Sequence, residues 1–280
     1  EIEAIIRPLA RAGVNKVRLT GGEPLVRKGA VELVSMISKI EGINDLTMTT
    51  NAVLLKKYAQ ELKDNGLTRV NVSLDTMDPK VYKELTGGGV LKDVLEGIEE
   101  AVKIGLTPVR LNSVIMKDRN IDQIAKIIDY ASSHGQTLRL IECMPMRDGM
   151  DWEANYLSVA DVLKREDIME RVDTEAAPRM EKEAAFFLPL RNGKGEVGFI
   201  SPMSKRFCED CNRLRLTSEG KIRACLPSDN DVDLKEAIRR GATDEEILKL
   251  VREVISNKAQ EGKYNFDDSG RKRSMVDIGG

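Results

Sequence analysis

No stretch of the 280-residue chain is apolar for long enough to span a membrane. Neither sign of charge dominates. Forty-four Lys and Arg against 46 Asp and Glu leave a net charge of −2, so nothing global attracts nucleic acid or an anionic membrane, and any basic site must be local. Cysteine is scarce: four residues, three of them clustered late in the chain, do not make a disulfide framework and fit a reducing, cytoplasmic setting. Histidine occurs once, at His134. The chain opens on Glu1 with neither signal peptide nor initiator Met, and reads as a fragment or a processed form. What is present suffices for a sizeable core. With 41% hydrophobic and 32% charged residues, the expected division is a large domain over 1–150 and a smaller one over 151–280.

An irregular repeat runs through the first half. Gly13, Gly42, Gly66, Gly105 and Gly135 each close a helical pattern and are followed by a short strand pattern: KVRLT, DLTMT, RVNVSLD, PVRLNSVI and TLRLIECM. Helical spacing shows in segments such as Ile121, Ile124, Ala125, Ile128. Alternation of strand and helix at this period predicts parallel βα units, hence an α/β fold built on an incomplete, TIM-like βα barrel. The first segment, with Ile2, Ile5, Ile6 and Leu9 on one face, is already a helix, so the strand expected before it is missing.

Strand parity separates two faces. The apolar set is Val17, Leu19, Leu46, Met48, Val70, Val72, Leu74, Val109 and Leu111; the alternate set is Arg18, Thr20, Thr47, Thr49, Asn51, Asn71, Ser73, Asp75, Arg110 and Asn112. Successive side chains point to opposite faces, so one face packs on helices while the other is polar. Ordinary barrel interiors are filled with Val, Ile and Leu, and a polar one reads as a ligand chamber. The alternative is the solvated face of an open sheet, which the usual covering of parallel sheets on both sides disfavours.

Chemistry concentrates in two places. Cys208, Cys211 and Cys225, spaced C-x2-C-x13-C, offer three soft thiolates to one metal centre, with Arg213, Arg215 and Arg223 between and beside them. Either Cys143, Asp210 or His134 completes a zinc site, or the centre is an iron–sulfur cluster with one iron left open, which arginines would suit to an anionic substrate. Arg213 and Arg215 lie two apart, so on a strand both would project from one face toward an anion. The second place is Gly21-Gly22-Glu23-Pro24 after the first strand, where two glycines let backbone N–H groups approach a ligand; a tight turn is the plainer reading. His134, before Gly135, reads as a helix cap, and Cys143 as a small buried residue.

Taken together, VRLTGGEPLVR, MTTNAVLL, VNVSLDTMDP, the cysteine triplet with Arg-Leu-Arg inside it and the terminal Gly279-Gly280 resemble the GTP 3′,8-cyclase family, radical S-adenosylmethionine (SAM) enzymes of molybdenum cofactor biosynthesis. The resemblance runs from Glu1 to Gly280. It implies an incomplete barrel followed by a C-terminal α+β domain with a 4Fe-4S cluster on Cys208, Cys211 and Cys225. It implies SAM at Gly22, Ser73 and Met144. GTP would lie against Arg18, Thr49, Arg110, Arg213, Leu214 and Arg215, with Gly279 and Gly280 as a tail reaching the active site. The implied reaction joins ribose C3′ of GTP to C8 of guanine. Implied partners are a flavodoxin- or ferredoxin-like electron donor, a cyclic pyranopterin monophosphate synthase downstream, and a second copy in a homodimer.

The sequence also departs from that family's pattern. The C-x3-C-x2-C that binds the SAM cluster is absent from residues 1–280, so the chain as it stands is expected to be inactive and to be a truncated piece of a longer protein. Arg110 stands for the usual Lys, a change that is not neutral at a tight phosphate site. Ala52 stands for a Gly, and Lys117-Asp118-Arg119 for a Gly-containing turn. Two other classes fit less of the sequence: a sibling radical SAM enzyme acting on another substrate, and a non-catalytic zinc module that binds an anion.

Overall fold

The computed structural model describes residues 1–145, 151–181, 185–205, 208, 211–226 and 230–258. Eleven strands are described: β1 Lys16–Leu19, β2 Asp45–Thr50, β3 Arg69–Ser73, β4 Val109–Ile115, β5 Thr137–Glu142, β6 Arg179–Glu181, β7 Ala185–Pro189, β8 Glu196–Ile200, β9 Arg215–Leu216, β10 Lys221–Arg223 and β11 Val232–Asp233. The helices are α1 Ile2–Arg11, α2 Ala30–Ser38, α3 Leu55–Asp64, α4 Pro79–Leu85, α5 Leu91–Lys103, α6 Ile124–Ser133, α7 Trp152–Asn155, α8 Val159–Val162, α9 Glu166–Met169, α10 Leu234–Arg239 and α11 Asp244–Ser256.

All five strands that the repeat predicts are present, and the glycines before them do what a helix end requires. Gly13, Gly42, Gly66, Gly105 and Gly135 all have positive φ, between 65° and 104°. A residue with a Cβ would be strained there; four of the five glycines directly follow a helix's C-cap residue, while Gly42 lies three residues past Lys39, the C-cap of α2, and each leads into the next strand within a few residues. The main sheet has eight strands in the order β1-β2-β3-β4-β5-β8-β7-β6. The pairs β1–β2, β3–β4, β4–β5 and β5–β8 are parallel; β8–β7 and β7–β6 are antiparallel. This is the mostly parallel α/β architecture expected from the sequence.

The chain forms two compact units, and they are not its two halves. One takes in Glu1–Thr49, Glu61–Thr68 and Asn212–Gly280; the other takes in Thr50–Gln60 and Arg69–Cys211. In the first unit, α1 joins the late elements. Ile5 and Leu9 share a core with Ile222, Ala224, Leu234, Val251 and Val254, and Leu214 and Leu216 pack on its edge. Exposed ion pairs Arg11–Asp244 and Arg239–Glu1 tie the same elements together, but they contribute little beside the apolar burial. A small antiparallel sheet in the order β11-β10-β9 completes this unit.

In the second unit the register turns strand parity into rows. Val72, Leu111, Leu138 and Val197 are successive partners across β3, β4, β5 and β8. The polar rows run Asn71, Arg110, Thr137 and Ser73, Asn112, Arg139, Gly198. Partners in a parallel ladder share a face, so each face keeps one character across four strands.

Two departures from the family pattern have structural accounts. Ala52 takes φ 63°, a left-handed backbone that glycine adopts without cost, and it is fully buried. Its N–H donates to Thr50 Oγ1 at 3.0 Å, and Val53 N–H donates to Asn51 Oδ1 at 3.0 Å, so side-chain acceptors stabilise the turn. The turn at Lys117, Asp118 and Arg119 is held by buried Asn120, which accepts from Met116 N–H and donates to Asp75 O and Val114 O, all at 2.8 Å. The three charged residues themselves are exposed, which is why the turn tolerates them.

Candidate active site

In the first unit, β1 carries Arg18, exposed and in register with buried Thr47 of β2, while Thr49 further along β2 is half-buried. Past β1 comes the double glycine, where Gly21 has φ 155° and Gly22 is exposed. Glu23 Oε1 accepts from Leu25 N–H at 3.0 Å and opens a 3₁₀ turn over Pro24–Val26. The plain turn-forming reading of Glu23 and Pro24 is therefore realised, and the turn leaves the glycine backbone accessible.

The arginines around the cysteines divide. Strand β9 begins at Arg215, so Arg213 lies before it and the same-face argument holds for Arg215 alone. Leu214 packs against the unit's core. Arg223, in register opposite Arg215, is buried, and its Nε and Nη2 donate to both oxygens of buried Asp231 at 2.6 and 2.8 Å. Its Nη1 donates to Leu226 O at 3.4 Å. Arg223 is thus paired with a carboxylate and braces the segment on either side of Cys225; the expectation that it serves an anionic substrate is corrected. Two residues beyond it, Cys225 is half-buried.

In the second unit the polar face is buried at its centre. Asn71 is 0% exposed, and neither atom of its amide has a hydrogen-bond partner among the described residues; Asn112 Oδ1 and Arg139 Nε are in the same position. Each such group costs about 1–3 kcal/mol. The burial of Asn71 and Arg139 disfavours a fully solvated sheet face and fits a face that meets a polar ligand. Arg139 donates to Glu181 at 2.7 Å, and Arg110 stands 3.5 Å from the same carboxylate. Neither Arg139 nor Glu181 was found by strand reading: the first follows from register, the second from an edge strand with no sequence signal. Ser73, exposed at the end of β3, and half-buried Met144 beyond β5 flank this face.

Cys143 is buried and its carbonyl accepts from Trp152 Nε1 at 2.8 Å. His134 ends α6 with its Nδ1 2.8 Å from Tyr130 O. Both match their expected structural roles, a buried residue and a helix end. Cys211 N–H donates to Cys208 O at 3.2 Å. All four cysteines are free thiols, and the three of the triplet are half-buried where Cys143 is buried. This donor set fits a soft metal centre. Among the described residues no three Cys, His, Asp or Glu gather into one metal-binding group, and Asp210, Gly279 and Gly280 lie outside the described residues. No described helix is long and apolar enough to cross a membrane.

Two family models divide the chain: the radical SAM superfamily matches residues 1–131 and the molybdenum cofactor synthesis C-terminal family matches residues 136–264. A GTP 3′,8-cyclase of Peptoclostridium acidaminophilum is 43% identical over 100% of this chain and 84% of its own length. One from Alkaliphilus metalliredigens is 42% identical over 100% of this chain and 86% of its own. The crystal structure of Streptococcus suis SuiB is 26% identical over 50% of this chain and 32% of that one, with a TM-score of 0.45, too low to carry weight. Relatives this similar, over this much of their length, place the chain in the GTP 3′,8-cyclase family of radical SAM enzymes.

Proposed function

We infer that the protein serves the conversion of GTP to 3′,8-cyclo-7,8-dihydro-GTP in the first step of molybdenum cofactor biosynthesis, a turnover that residues 1–280 do not complete without the C-x3-C-x2-C ligands of a SAM cluster. The observation that carries this reading is the end-to-end match, 100% of the chain, to GTP 3′,8-cyclases at 43% and 42% identity. Gly22, Ser73 and Met144 are assigned to SAM. Arg18, Thr49, Arg110, Arg213, Leu214 and Arg215 are assigned to GTP, and Cys208, Cys211 and Cys225 to a 4Fe-4S cluster. Residues 1–150 would carry the SAM chemistry, and 151–280 the cluster and the tail of Gly279 and Gly280.

SAM, held with a cluster of its own, would supply one-electron chemistry at the ribose. The chain's side chains hold and orient. Arg18, Arg110 and Arg215 carry guanidinium groups, donors of the kind that suits a triphosphate. The shared carboxylate of Glu181 holds Arg110 and Arg139 in place on the polar face. The buried amide of Asn71 and the buried Oδ1 of half-buried Asn112 offer hydrogen-bonding groups that would help to orient a bound substrate. An electron donor of flavodoxin or ferredoxin type, a downstream cyclic pyranopterin monophosphate synthase, a homodimeric state and a cytoplasmic setting belong to the same proposal.

Anaerobic reconstitution tests it. The chain is expected to turn brown with about four irons at this centre, and Cys225→Ser is expected to lose them. Arg215→Ala is expected to weaken GTP binding by about tenfold or more in isothermal titration, the loss of one charge-assisted contact. Colourless protein with about one zinc per chain, or GTP binding unmoved by Arg215→Ala, overturns the reading.

A further inference from the structure

We propose that Glu142 is a positioning residue for the iron–sulfur centre, anchoring the segment that leads to Cys208 and Cys211 to the end of β5. This rests on the cluster reading of the cysteines given above.

Glu142 stands where an ionised side chain does not belong. It follows Leu138 and Leu140 on the apolar face of β5 and pairs in register with Ile115, which is fully buried. Its own exposure is 0%. A buried carboxylate is tolerated only where donors replace the water it has lost, and four do so here. Oε1 accepts from Val159 N–H at 2.9 Å, the first residue of α8, and also from Ser204 Oγ. Oε2 accepts from Met203 N–H at 3.0 Å and Ser204 N–H at 2.9 Å. Tyr156 lies close by; burial first, and then the Glu142 charge, raise its phenol above its ordinary pKa.

One side chain therefore joins three segments: the carboxyl end of β5, the start of α8 and the turn after β8. Each end of that bridge leads to assigned chemistry. The chain passes from Glu142 directly into Cys143 and Met144, and from Ser204 it reaches Cys208 within four residues. Within the turn, Lys205 N–H donates to Ser201 O at 3.0 Å, so the carboxylate grips a closed loop of backbone rather than a free strand. The acceptors and donors match one for one. Any neutral amide in place of the carboxylate must set its NH2 against at least one backbone N–H.

Glu142→Gln tests the anchor with little change of volume. The reconstituted variant, with wild-type circular dichroism, is expected to lose iron to a chelator about tenfold faster and to show shifted EPR g-values for the reduced centre, as follows from losing a charge-assisted contact. In the metal-free chain, trypsin is expected to cut after exposed Lys205 about tenfold faster. Iron loss at the wild-type rate with unshifted g-values overturns the proposal, whatever the protease shows. Should the variant not fold, Ser204→Ala removes a single donor at an exposed residue and is expected to speed iron loss about threefold; an unchanged rate there overturns the proposal too. Cys208→Ala is the control. Full iron in that variant sinks the cluster reading itself, a failure told apart from that of the anchor because the protease result needs no metal.

Discussion

Asp231→Ala is expected to lower the unfolding free energy by about 3–5 kcal/mol, among the largest effects of any single substitution outside the apolar core. The side chains of Arg223 and Asp231 are 3% and 7% exposed, and their paired contacts at 2.6 and 2.8 Å satisfy both oxygens. Removing the carboxylate leaves a guanidinium that cannot lose its proton and cannot reach water. The desolvation cost already met on folding is then uncompensated, which is why breaking such a pair costs more than the pair contributes. Replacing both partners, as in Arg223→Met with Asp231→Leu, is expected to recover most of the loss, since the apolar pair carries no such cost. Urea unfolding of Arg223→Met, of Asp231→Leu and of the double variant reads this as a cycle. A single-variant loss below about 1 kcal/mol would show that the charges reach solvent after all. The consequence for the site is local: the segment bearing Cys225 lies between Arg223 and its contact at Leu226, so its geometry depends on a pair that touches neither substrate nor metal.

Gly97→Ala is the second. Helix propensity alone favours alanine inside α5 by about 1 kcal/mol. Packing decides otherwise. A Cβ at Gly97 would fall 2.3 Å from Ala52 O and 3.2 Å from Leu55 Cβ. The first is backbone and fixed, because Ala52 O accepts from Leu55 N–H at 3.0 Å and Ala52 sits in the left-handed region at φ 63°. The clash cannot be relieved by a rotamer change, so α5 or the turn must move. We expect a net destabilisation of about 1–3 kcal/mol, measured by the urea midpoint at unchanged slope. A gain in stability would mean that the turn yields easily.

The elements of the fold were legible because their signals are local. A positive-φ glycine precedes each of five strands, and alternation assigns each strand's faces from neighbours two apart; register then carries that assignment across β3, β4, β5 and β8. The same parity located the polar face and so Asn71, Ser73, Arg110 and Asn112. It missed Glu142 because the rule reads a charge in an apolar row as noise, whereas the donors that justify it come from residues 17 and about 60 positions later. It misread Arg223, whose partner is eight residues away on the far side of Cys225. Arg213 and Arg215 were grouped on a strand that proves to begin at Arg215. Nor did anything local show that α1 shares a core with α11.

By itself the sequence determined the α/β class, the family, the cysteine set and the two faces of the strands, because these depend on residue type and short spacing alone. Tertiary structure decided which charges remain available. Arg223 is neutralised by Asp231, Arg110 and Arg139 share Glu181, and Glu142 is held by backbone N–H groups of distant turns. A buried charge persists only with its partners in place, and only the fold brings partners distant in sequence within hydrogen-bonding reach.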